Sequence, residues 1–108
     1  MEKLLSEFIS DIANKSKLHV DQNFCGHGIG KYLHMRPSIQ HHRDNTELGI
    51  IEENMVFTIE PILTLFPHQD LYLWEDNFTV TSFCNPSAQF EHTIIVKQNG
   101  PEILTIDD

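Results

Sequence analysis

Three short segments of this chain carry residues that could do chemistry. Glu60 and Glu91 each sit in a strand-like run, Phe57-Thr58-Ile59-Glu60-Pro61 and Gln89-Phe90-Glu91-His92-Thr93. Upstream of both, His27 is bracketed by glycine in Gly26-His27-Gly28-Ile29-Gly30. A carboxylate inside an apolar strand must be paired, hydrogen-bonded or metal-bound, because burying an uncompensated charge is costly or forces its protonation. One imidazole and two carboxylates form a borderline-to-hard donor set for divalent Mn, Co, Fe or Zn, and composition does not choose among these metals. Each residue alone has a plainer reading, a histidine in a flexible glycine loop or a solvated glutamate on an edge strand. The combination is what points to a metal.

Strand geometry narrows the ligand set. Adjacent side chains in a strand point to opposite faces, so Glu91 and His92 cannot both face one small site. Glu91 is the expected ligand. Gln89 and Thr93 share its face, where they can orient a carboxylate from behind, while Phe90, His92 and Ile94 face away. The same alternation sets Thr58 beside Glu60 and sends Phe57 and Ile59 to the core, and Pro61 keeps Glu60 extended while removing a ladder donor. His34 follows His27 by an odd separation, so a turn must intervene if the two are to meet. A second histidine there could donate to a developing tetrahedral oxygen in a hydrolysis; the plain alternative is a surface histidine before Met35-Arg36-Pro37. His19, His41, His42 and His68 lie in polar stretches and read as solvated.

The elements that must position these groups follow from hydrophobic period. Leu4, Leu5, Phe8, Ile9, Ile12 and Ala13 recur at helical spacing and predict an amphipathic helix over Glu2 to Lys15, ending near Asn14 to Lys17. Leu18 to Phe24 reads as extended or looped, and the alternate glycines after it resist helix and allow close backbone approach. The polar stretch from Met35 to Glu53, with Pro37, reads as a long surface loop. Strands are predicted at Met55–Leu65, Leu71–Trp74, Phe78–Phe83, Gln89–Lys97 and Glu102–Ile106, the last after the Asn99-Gly100 turn signal. Together they predict an α+β domain, an antiparallel sheet with a flanking helix.

The 108 residues support one domain without repeats, linker or low-complexity tract. Seven basic against sixteen acidic residues, a formal charge of −9, oppose a nucleic-acid partner and suit a cation or the ammonium of a peptide N-terminus. Cys25 and Cys84 have no zinc-finger spacing; one disulfide is conceivable, and reduced thiols in a cytoplasmic protein fit better, with no leader at the start. No stretch approaches the roughly 18 apolar residues of a membrane helix. The expected protein is soluble.

In this order, the three segments resemble the type I methionine aminopeptidases, over about Phe24 to Thr105. The resemblance implies half of a pita-bread fold, with a curved antiparallel sheet covered by helices on one side and a shallow apolar pocket for methionine. It implies His27, Glu60 and Glu91 as metal ligands, with Glu91 bridging two ions. It makes His34 the histidine that contacts the scissile amide and Glu60 the general acid/base. Phe78 stands where the family usually has tryptophan and keeps an aromatic wall to the substrate. Asn54 replaces a turning glycine, the best non-glycine choice for a left-handed residue. The family's two metal-ligating aspartates and a further catalytic histidine belong to an N-terminal half without counterpart here, so of two divalent ions at most one is expected to be well held. The implied function is removal of the initiator methionine from nascent proteins in the cytoplasm. Residues 1–108 are then the C-terminal part of the catalytic domain, incomplete or inactive alone, either a fragment of a longer enzyme or a half that pairs with a separate N-terminal piece or self-associates. The alternative is a non-catalytic pita-bread module that binds peptides or a protein partner; retention of all three ligands favours the enzyme.

Overall fold

The computed structural model describes residues 2–46, 49–67 and 70–107. Helix α1 (Glu2–Lys15) occupies the span that its apolar spacing predicts. It stops because Lys17 turns left-handed, at φ 57°. That turn brings the Leu18 N–H to the Ala13 carbonyl at 2.9 Å and the Lys17 N–H to that of Asn14 at 3.0 Å, a Schellman closure with lysine where glycine is usual. The helix turns half-buried Leu5 and Ile9 inward along with buried Ser6, Ser10 and Ala13. Leu4, Phe8 and Ile12 remain 64, 66 and 52% exposed. Four-residue spacing sets them in one row, so the helix carries an apolar ridge on its outside as well.

After the helix come β1 (His19–Val20), β2 (Gly26–Gly28), β3 (Met35–Ile39), β4 (Val56–Ile59), β5 (Ile62–Thr64), β6 (Leu71–Leu73), β7 (Val80–Ser82), β8 (Ser87–Gln89), β9 (His92–Lys97) and β10 (Gly100–Ile103). Every pairing among them is antiparallel. Five strands form a sheet ordered β10-β9-β4-β2-β3, three form β1-β5-β8, and β6 with β7 makes a separate hairpin. The α+β class, antiparallel strands with a flanking helix, stands, and the strands are distributed over these three sheets. Ile39, Phe57 and Ile94 are the buried centre of the larger sheet, packed by Leu5, Ile51, Met55, Ile59 and Val96. Asn54, with φ 70°, takes the left-handed turn into β4, and Gly100, at φ 122°, closes the β9–β10 hairpin.

Two predicted strands are each divided. The Met55–Leu65 run becomes β4 and β5, and the Gln89–Lys97 run becomes β8 and β9. The divisions face one another: Ile59 pairs with His92 in the large sheet and Ile62 with Gln89 in the small one. The two ladders are in step, so counting on from either places Glu60 opposite Glu91 and Pro61 opposite Phe90. Proline lacks a ladder donor and like charges set directly across a strand pair repel, which is why pairing lapses at these two levels.

The long loop read from Met35 to Glu53 also needs correction, since it begins with β3. Met35-Arg36-Pro37-Ser38-Ile39 has no apolar alternation because it is the edge of its sheet, where proline is tolerated. Its pairing is made possible by its neighbour: a Cβ on Gly28 would lie 2.1 Å from the Arg36 carbonyl oxygen.

Candidate metal centre

The centre is built outward from the glycine strand. A Cβ on Gly26 would stand 2.2 Å from the Thr58 carbonyl oxygen, whereas one on Gly30 would meet only Met35 Sδ at 3.5 Å. Gly26 and Gly28 are therefore required by close packing, and Gly30 is not. His27 is held between them. Its N–H donates to Thr58 Oγ1 at 3.0 Å, and its Nδ1 lies 3.0 Å from the Gly28 carbonyl oxygen. A carbonyl only accepts, so the proton of this pair sits on Nδ1 and Nε2 is turned towards the carboxylate. Nε2 lies 3.2 Å from Glu60 Oε1.

Glu60 leaves the end of β4 on the face of Thr58, two residues before it. Thr58 is fully buried and its hydroxyl donates to Glu60 Oε1 at 2.8 Å. One hydroxyl thus ties the His27 backbone to the Glu60 carboxylate. Glu91 is exposed and sits in the facing break. One ligand atom from each of His27, Glu60 and Glu91 lies within 4.8 Å of the other two. Gln89 Nε2 donates to Glu91 Oε2 over a long 3.4 Å. Thr93 pairs across the strands with Thr58, and its N–H goes to Thr105 Oγ1 at 3.0 Å. His92 turns away, with its Nδ1 3.0 Å from the same Thr105 hydroxyl.

The donor set suits a divalent cation. Two carboxylates meeting across a strand break repel until a cation lies between them, and the imidazole beside them has its other nitrogen committed to a backbone carbonyl, the usual arrangement for a ligating histidine.

The chain bends between β2 and β3, and that bend returns His34 to His27, ring centroids 4.4 Å apart at an interplanar angle of 62°. His34 itself is exposed. Phe78 is carried on the β6–β7 hairpin and is 87% exposed; its N–H donates to Asp76 Oδ1, and no described contact links it to the three candidate ligands. Cys25 and Cys84 are both free thiols.

The histidines read as solvated need revision. His19 and His42 are half-buried, and His68 lies outside the described residues. His41 is 1% exposed. Burial, with His42 beside it, lowers its pKa from 6.5 to about 4, and its neutral Nε2 accepts the Glu60 N–H at 3.3 Å. Sequence reasoning missed this residue because it missed β3: Ile39 is buried to the same 1%, and His41 follows it by the two-residue step of a strand face.

The chain spans a minor part of the known proteins it matches. It is 44% identical to methionine aminopeptidase 1D, chloroplastic/mitochondrial, of Arabidopsis thaliana over 95% of its own length and 29% of that protein's. It is 42% identical to methionine aminopeptidase 1 of Dictyostelium discoideum over 94% of its own length and 28% of that protein's. The crystal structure of methionine aminopeptidase from Rickettsia prowazekii superposes with a TM-score of 0.83 at 38% identity, covering 94% of this chain and 41% of that one. The antiparallel strands and their helix are thus part of the pita-bread fold of such enzymes. Residues 3–98 match the metallopeptidase family M24, and the chain belongs to that family.

Proposed function

We propose that residues 1–108 are the C-terminal part of a methionine aminopeptidase catalytic domain and carry one wall of its metal centre. The observation that supports this most is the convergence of His27, Glu60 and Glu91 within 4.8 Å. These three would hold one divalent ion of the Co, Mn, Fe or Zn type. When bound, such an ion supplies Lewis acidity, lowering the pKa of a water and polarising a peptide carbonyl. The described contacts of the Glu60 carboxylate both fall on Oε1, which leaves Oε2 to take and return a proton as general acid/base. His34, exposed at the edge of the His27 ring, is the proposed donor to the tetrahedral oxygen. Phe78 is the proposed aromatic wall for the methionine side chain. The substrate is the N-terminal methionine of nascent peptides, whose ammonium suits an acidic chain.

Of the second ion's ligands in the family's site residues 1–108 would supply Glu91 alone, so the two aspartates have to come from outside these residues, on the same polypeptide or on a separate N-terminal half. The expected compartment is the cytoplasm; relatives named for mitochondrion and chloroplast make organelle import the competing outcome of a localisation experiment.

The test has two parts. Mn(II) or Co(II) raises the melting temperature of the chain by mass action on the native state, and Glu91→Gln removes that rise while His92→Gln keeps it. Met-Ala peptides are turned over only once a fragment supplying the two aspartates is added, and His34→Ala then abolishes turnover with metal content unchanged. A folded chain that melts identically with and without metal sinks the metal centre. Robust turnover by the chain alone sinks the half-enzyme reading.

A further inference from the structure

Glu60 lies where the ladder lapses, so its backbone has no facing strand to fix it. Its N–H nevertheless has a partner, the Nε2 of His41 at 3.3 Å. His41 is well anchored for the task. It is 1% exposed, and its own carbonyl accepts the Ser10 hydroxyl of α1 at 3.4 Å. The ring fits because Gly26 has no side chain: a Cβ there would approach Nε2 to 3.3 Å. A chain of contacts therefore runs from the helix through His41 to the backbone of a candidate ligand.

We infer that His41 is a positioning residue of the metal centre, holding the Glu60 backbone, and through it the carboxylate, at the break between the sheets. It is not a ligand. Among the described residues the convergent donor atoms belong to His27, Glu60 and Glu91, and the lone pair of His41 Nε2 is committed to an N–H. Glu60 is thus fixed at two points: Thr58 holds its carboxylate and His41 its amide. Removing the second point frees rotation about the Glu60 backbone while leaving every donor atom chemically intact. The role rests on the metal reading above, but the hydrogen bond can be tested without any metal.

The experiment compares His41→Gln, whose amide oxygen reaches about as far as Nε2 and can accept, with His41→Leu, which fills similar space and cannot. In the metal-free chain, exchange of the Glu60 amide proton with solvent is followed by NMR, referenced to amides within β4 and β9. Mn(II) affinity is then titrated. Slow Glu60 exchange is expected in the parent and in His41→Gln and much faster exchange in His41→Leu. Mn(II) binding is expected to weaken by about 10- to 100-fold in His41→Leu, the usual cost of losing a partner behind the ligands, and to recover largely in His41→Gln. Rapid Glu60 exchange in the folded parent overturns the inference, as does equal behaviour of the two variants in exchange. A parent that binds no Mn(II) but shows the expected exchange pattern overturns the metal reading and confines His41 to holding the strand break. If either variant fails to fold, the parent's Glu60 exchange still decides whether the bond exists.

Discussion

The hydroxyl of Thr58 offers the sharpest test of how the centre is held. Thr58→Val keeps the shape of the side chain and deletes one oxygen. In the parent that oxygen accepts the His27 N–H at 3.0 Å and donates to Glu60 Oε1 at 2.8 Å, in a fully buried position. Leaving a buried N–H without its acceptor costs about 1–3 kcal/mol, and a hydrogen bond to a charged group contributes about 1.5–3 kcal/mol. Valine's easier desolvation offsets part of this, so a loss of about 2–4 kcal/mol is expected, a large share of the ~5–15 kcal/mol that stabilises a typical domain. Thr58→Ser is the control: it keeps the hydroxyl and loses one methyl, for about 1 kcal/mol. Urea unfolding in the presence of a chelator, followed by circular dichroism, measures both. Mn(II) affinity should fall in the same order, because valine unties the two ligands from each other. If serine proves as damaging as valine, the methyl rather than the bridge matters and the reasoning fails.

Two further outcomes are expected. With chelator present, burial of neutral His41 makes the unfolded chain the better proton binder between its ordinary pKa of 6.5 and its lowered value of about 4. Stability is therefore full above pH 6.5, declines as the pH falls towards 4 and levels off below, a loss of about 3 kcal/mol; acid unfolding monitored by fluorescence of Trp74 should lose that limb in His41→Gln. The outer ridge of α1 predicts association, with itself or with an added N-terminal half, so Phe8→Glu should weaken that association by at least about tenfold in analytical ultracentrifugation, as expected for an aromatic anchor. A parent that is monomeric at all concentrations and binds no such fragment contradicts the ridge's role.

What could be read from the sequence was what local chemistry determines. The helix span follows from apolar spacing, the left-handed Asn54 from the backbone freedom of asparagine, and the crowding at Gly26 and Gly28 from their lack of a side chain. Pro61 showed the loss of a ladder donor beside Glu60, but not that the strand divides there or that a matching break lies across from it. That fact depends on the register between chain segments far apart in sequence, which neither segment encodes alone. The same limit hid β3, whose residues pair because glycine lies beside them, and with β3 it hid the burial of His41. The helix shows the limit differently: six apolar residues mark its period, but which side faces the sheet is decided by what packs there, and Ser6, Ser10 and Ala13 are buried while Phe8 is 66% exposed.

The facing breaks have a mechanical consequence. Among the described residues no backbone bond joins 60–61 to 90–91, so at that level the two sheets are connected along their chains and not across them. The carboxylates of Glu60 and Glu91 are the groups that meet in the gap, and between themselves they push it open. A cation seated there would reverse the sign of that force and tie the two facing strand runs together across the break. Loading the site would then do more than equip it for chemistry: it would stiffen the level at which the two ladders part.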